Sequence, residues 1–217
     1  LAAASGRGDA PGFRHRFARA LRLTLIVVIP SAVVLLVLAQ PIVVALLQRG
    51  AFTARDAALV GDTLAGFAIG LPFFSTYLFA LRGFYSLSDT RTPFFLNCFE
   101  NAVNIVLAIV LYDAYGIPGL ALAFSMAYAL ASVLTLSVLS RRLGGLRGRN
   151  IGATTGRVLI VSLVAGAGAW GVSQAIGHSS AATALMTVVV GLAVAVGVVV
   201  AGYWALRIKE FQELVRL

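Results

Sequence analysis

The stretch LTLIVVIPSAVVLLVLAQPIVVALL, residues 23–47, decides the fold. No side chain in it is charged, and it exceeds the roughly 20 apolar residues that a helix needs to cross a bilayer core. Working outward, five more apolar runs follow: 63–81, 93–112 (interrupted once, by Glu100), 114–140, 158–177 and 179–206. The runs are continuous rather than alternating, which excludes a β-barrel of short strands. The expected fold is all-α, a polytopic integral membrane bundle of six transmembrane helices.

Composition agrees. Of 217 residues, 60% are hydrophobic and 12% charged, against about 45–50% apolar and about 25% charged in a soluble domain. That excludes an ordinary soluble domain and a disordered chain. The single cysteine, Cys98, excludes an internal disulfide, and two distant histidines, His15 and His178, argue against a zinc enzyme. No metal site and no bound cofactor are expected. The chain opens on basic rather than apolar residues, so no signal peptide is expected.

An even number of spans puts both ends on one side. Fifteen of the 17 basic residues fall in the two tails and in the loops after the second and fourth runs, leaving only Arg49 and Arg55 for the opposite face. The positive-inside rule therefore makes both ends cytoplasmic. Arg91 and Arg147 share that side, with Arg55, Asp113 and His178 outside. The net charge of +9 reads as topology plus attraction to anionic membrane lipids. Nucleic-acid binding is excluded, because the basic residues sit at helix ends with no recognition module.

Local signals mark the boundaries. Thr53 followed by Asp56 reads as a capping box, and Thr92 before Pro93 as an N-cap with proline at the first helical position. Residues 5–12, SGRGDAPG, read as a loop, and their RGD as chance. Gly144, Gly145 and Gly148 mark a flexible connection. The expected organisation is a lead-in with four spans over 1–143, a cytoplasmic linker over 144–157, and a final helix pair with its tail over 158–217. Asp113 and His178 read as solvated loop residues. Pro30, Pro41 and Pro72 free backbone carbonyls inside the spans. Ala193, Gly197 and Ala201, at spacing four, predict close packing of the last helix on Ala165 and Ala169.

Glu100 is the residue with chemistry to explain. Seven residues past Pro93, it lies roughly 10 Å along the helix, where a carboxylate costs on the order of 3 kcal/mol to insert. Asn97, Asn101 and Asn104 share an arc of about 100° with it. Such a face points at protein or water. Three readings stay open: hydrogen-bonding glue between helices, a pathway for an ion or substrate, and a neutral, tolerated acid. Asp62 near the outer face and Arg82 at the inner end of the second run are weaker candidates, the latter because a guanidinium matches phosphate oxygens. Asp62 and Glu100 lie toward opposite faces, against a shared catalytic pair. No catalytic residue is expected, since no nucleophile or P-loop motif is present.

Two segments flank the second run: QRGAFTARD (48–56) and RGFYSLSDTRTP (82–93). They resemble the signatures of the MurJ (MviN) family, the lipid II flippases of peptidoglycan synthesis. RIKEFQ (207–212) resembles the end of that family's membrane region. The resemblance spans nearly the whole chain and aligns it with helices nine to fourteen of fourteen: most of the second lobe and the final pair. It implies a partial flippase/drug-exporter superfamily fold in the bacterial plasma membrane. It also implies an alternating-access transporter, not an enzyme, that moves lipid II from inner to outer leaflet. The rest of the chain, including the first lobe, would be its partner. Na⁺, H⁺ or the membrane potential would drive it. The family's essential arginines lie in earlier helices and are not carried over, and Glu100 matches no family motif. Alternatives are another exporter of the superfamily, for oligosaccharide lipids or drugs, a scaffold for cell-wall enzymes, and a membrane enzyme.

Overall fold

The computed structural model describes residues 10–145, 148–206 and 211, with side chains over 12–145, 151–206 and 211. All regular structure among them is helical: α1 (Ala10–Val37), α2 (Ala39–Leu47), α3 (Ala54–Ser86), α4 (Arg91–Tyr115), α5 (Ile117–Arg142), α6 (Gly148–Ile176) and α7 (Ala181–Ala205). Six of them, all but the short α2, are long and apolar enough to cross a membrane. Residues 5–9 of the expected N-terminal loop, Arg147, and the RIKEFQ segment apart from Phe211 lie outside the described residues.

The first expected span is two helices, and it starts earlier than hydropathy suggests. Residues 10–22, read as a polar tail, are helical because Phe13, Phe17 and Leu21 repeat on one face and are buried. Exposed His15, Arg16 and Arg19 take the other face. The break at Leu38 has a simple cause. Pro41 has no N–H to give the carbonyl of Val37, four residues earlier, and α1 ends at Val37. Pro30 likewise leaves the carbonyl of Ile26 without its helical donor. The hydroxyl of buried Tyr203, on α7, donates to that oxygen at 2.7 Å, as transmembrane prolines require of their neighbours.

The sequence 48–56 builds the turn into α3. Gly50 takes a positive φ of 60°. Thr53 Oγ1 accepts the N–H of Asp56 and the Asp56 carboxylate accepts that of Thr53, the expected capping box. The sequence 82–93 builds the α3–α4 turn differently from expectation. Helix α4 starts at Arg91, and Asp89 Oδ1 accepts the N–H groups of Arg91 and Thr92 at 3.0 and 3.1 Å. A carboxylate two residues ahead thus does the capping assigned to Thr92. Asp89 also pairs with Arg142 at the end of α5. Asp113 is exposed but sits in the last turn of α4, not in a loop, because the α4–α5 turn shrinks to Gly116 at φ 64°.

Helix α3 packs most extensively on α5, and α5 carries α4. The α3–α5 seam is made by small residues. A Cβ on Gly66 would stand 2.8 Å from that of Ala121, and one on Gly70 3.0 Å from the Ser125 backbone. Ser125 Oγ donates to the Gly66 carbonyl at 2.6 Å. Helices α6 and α7 pack on each other and rest on α1 and α2. Helix α6 begins at Gly148, so most of the stretch expected as a linker is helical. Its first turns are held by tertiary contacts, Val158 being buried in a core that Ile151 packs against. The small-residue stripe on α7 is misplaced by the sequence reading. Ala193, Gly197 and Ala201 are exposed, and the packed stripe is Ala184, Thr187, Gly191 and Ala195. Nearly every face of α7 is small or β-branched, so composition alone cannot pick the one that meets α6. Ala165 and Ala169 are fully buried, as expected.

One core cluster joins Phe13 and Phe17 of α1, Phe84 of α3, Leu139 of α5, Val158 of α6 and Tyr203 of α7. It gathers the ends of the helices on the arginine-rich side of the bundle.

Candidate functional site

Helix α4 is the least packed span, running along α5 while barely meeting α3. Its buried residues form a single narrow stripe, Pro93, Leu96 and Glu100. Glu100 is 2% exposed, and its Oε1 is buried with no hydrogen-bond partner. Nine residues from the start of α4, it lies about 14 Å along the helix. Tyr77 on α3, hydrogen-bonded to Asn97 about one turn before Glu100, packs beside Tyr128 on α5. The two tyrosine rings meet edge to face with centroids 5.4 Å apart. Tyr77, itself 1% exposed, donates its hydroxyl to Asn97 Oδ1 at 3.2 Å.

The polar arc expected on α4 therefore splits. Asn97 joins Glu100 through Tyr77, although its residue is exposed overall. Asn101 is exposed and donates to the Asn97 carbonyl of its own helix at 2.8 Å. Asn104 is half-buried. The sequence reading missed Tyr77 and Tyr128. A signal for Tyr77 was present: it stands nine residues before the end of α3, and Glu100 nine residues after the start of α4. A hairpin with a short turn puts the two at equal depth.

Asp62 is exposed, and its Oδ1 accepts from Gln40 Nε2 at 3.1 Å; the same nitrogen donates to the Ala58 carbonyl at 2.9 Å. This ties α2 to α3 near the end away from Glu100, so the two acids do not form a pair. Arg82 is exposed on the last turns of α3. His178 is an exposed loop residue. Among the described residues no group of His, Cys, Asp and Glu side chains could hold a metal ion.

A second feature is an apolar groove of about 450 Å³ between α1 and α7, lined by Ile26, Pro30, Val34, Leu38, Val196 and Val199 among others. Its walls come mainly from α1 and α7. Tyr203 and Phe211, with rings 5.3 Å apart, line one end.

A family model for the lipid II flippase MurJ matches residues 1–191. The chain belongs to the MurJ family. Among MurJ relatives, the lipid II flippase of Thermosipho africanus is 35% identical over 136 residues, covering 60% of this chain and 29% of the relative. The probable lipid II flippase of Rhizobium meliloti is 35% identical over 133 residues, covering 61% and 24%. That of Synechocystis is 29% identical over 162 residues, covering 75% and 30%. A solved lipid II flippase MurJ in an inward closed conformation superposes with a TM-score of 0.74 at 26% identity, over 95% of this chain and 42% of that one. The chain thus spans less than a third of these curated relatives. It is a multi-pass membrane segment with a MurJ fold.

Proposed function

We propose that this chain is the C-terminal part of a lipid II flippase that carries the undecaprenyl-linked precursor from inner to outer leaflet by alternating access. The observation that carries the reading is the likeness to a solved MurJ over 95% of the chain. On this reading the protein is a transporter of the bacterial plasma membrane rather than an enzyme, which the family match supports. Alternating access needs two lobes rocking about a central site. Helices α1 to α5 supply most of one lobe, with the rest of the chain as partner. The arginine-rich side is cytoplasmic, and its exposed arginines bind anionic lipid heads. The apolar groove between α1 and α7 suits a polyprenyl tail too long and too apolar for a polar cavity. Glu100 with Asn97, Asn101 and Asn104 lines the ion or substrate pathway, Asp62 and Arg82 lie at its two mouths, and Na⁺, H⁺ or the membrane potential supplies the driving force.

Depletion of the full-length protein tests this. Lipid II is expected to accumulate in the inner leaflet while wall synthesis stops. Unchanged outer-leaflet lipid II in cells without a second flippase contradicts it. Loss of a drug exporter would leave wall synthesis intact.

A further inference from the structure

Glu100 stands in an arrangement that hydrogen-bonding glue does not explain. Glue would have partners, yet Oε1 has none among the described residues, and the side chain is 2% exposed. An ionised carboxylate left in that position is far more costly than one that takes up a proton. The titratable groups beside it are Tyr77 of α3, bonded to Asn97 about one turn away, and Tyr128 of α5, whose ring packs on that of Tyr77. Both are phenols, so neither supplies a positive charge. A hard metal cation wants six or more oxygens. Here the nearby amide oxygen of Asn97 already accepts the Tyr77 hydroxyl at 3.2 Å.

The cover over Glu100 is thin. Helix α4 barely meets α3, and the Tyr77–Asn97 hydrogen bond bridges the two. Beside it, Asn97 and Asn101 are exposed. A small movement of α4 away from α3 breaks one hydrogen bond and leads water along this amide edge to the carboxyl.

We propose that Glu100 is a proton-binding site that is closed when α4 lies against α3 and exchanges its proton with water when α4 moves away. The step is a simple transfer in the open position: hydronium gives a proton to the ionised carboxylate at Glu100 Oε1 and becomes water, and the reverse transfer, with α4 again away from α3, returns the proton to water. Proton occupancy and the position of α4 are then linked, because the closed state accepts only the neutral acid. The inference deepens the transport reading and rests on it for a physiological role, since it chooses H⁺ over Na⁺ at this residue. The site itself does not depend on lipid II.

The test uses the full-length protein in membranes, with dicyclohexylcarbodiimide, an apolar reagent for protonated carboxyls, as the probe and peptide mass spectrometry as the readout. Glu100 is expected to be labelled at mildly acid pH and to lose its label as pH rises. The label should vanish in Glu100→Gln. Tyr77→Phe, which removes the bridge without touching the carboxyl, should speed hydrogen–deuterium exchange in the adjoining turns of α4. No label at any pH, a label that ignores pH, or one that survives Glu100→Gln overturns the site. Unchanged exchange in Tyr77→Phe overturns the gating by α4. In the transport arm, Glu100→Gln should flatten the pH dependence of translocation, and an unaltered profile overturns the link to transport. A wild-type protein that is labelled as expected but moves no lipid II leaves the proton site standing and removes the flippase reading instead.

Discussion

Replacing Tyr203 with Phe isolates one hydrogen bond whose need is created by a proline. Pro30 deprives the Ile26 carbonyl of its helical donor, and the Tyr203 hydroxyl, 2.7 Å away, takes the vacant place. Tyr203 is 2% exposed, so no water replaces the lost hydroxyl. Leaving a buried acceptor unpaired costs about 1–3 kcal/mol, and hydrogen bonds between membrane helices reach at most roughly 1.7 kcal/mol in double-mutant cycles. The expected loss for Tyr203→Phe is therefore about 1–2 kcal/mol. In a Pro30→Ala background, residue 30 regains an N–H and Ile26 its helical partner. There the same substitution should cost no more than about 0.5 kcal/mol. The assay is equilibrium unfolding of the full-length protein in mixed micelles, run on all four members of the cycle. An equal loss in both backgrounds refutes the link between Pro30 and Tyr203, whatever its size.

Gly70→Ala brings a Cβ to 3.0 Å from the Ser125 backbone and should destabilise by about 1–3 kcal/mol through overpacking. Gly197→Ala meets nothing within 4 Å and should be neutral or slightly stabilising by helix propensity; thermal melting of the two variants checks both. Asp89 is held below the ordinary carboxylate value of 3.8 by hydrogen bonds from Thr92, then by the Arg142 guanidinium and the Arg91 N–H. A lowered folded value means its stabilisation is present above 3.8 and lost as pH falls through the folded value. Asp89→Asn should thus be less stable than wild type at neutral pH, and unfolding across a pH series should show the gap closing below that point. For topology, a membrane-impermeant thiol reagent on intact cells, in a Cys98→Ser background, should label Cys at position 178 and not at position 91. The reverse pattern inverts the orientation.

The spans were legible because hydropathy is a property of whole segments. The Thr53–Asp56 capping box was legible because its spacing is fixed by one helical turn. What failed to read depended on neighbours. The N-terminal extension of α1 is helical because Phe13 and Phe17 find a core built from α3, α5, α6 and α7, which no local window contains. Pro41 was visible, but not that the break would fall at Leu38, since hydropathy runs unbroken across it. At α4, the sequence groups Asn97, Glu100, Asn101 and Asn104 on one face at i, i+3, i+4 and i+7, and the structure buries Glu100 there. The same spacing grouped Asn101 with it, although Asn101 bonds to its own backbone. The exposure of α4 reflects how little of it α3 covers, and that lies in the packing of three helices rather than in any one of them. The apolar groove between α1 and α7 is walled by two helices far apart in the chain, so neither run shows it alone.

The most direct test of the account is translocation by the full-length protein in proteoliposomes carrying fluorescent lipid II. A membrane-impermeant reagent that destroys the label on the outer leaflet reports its movement. The account predicts transfer of label between leaflets under a membrane potential or proton gradient, reduced in Glu100→Gln, and none from residues 1–217 alone. Label that stays in its starting leaflet with folded, full-length protein present contradicts it.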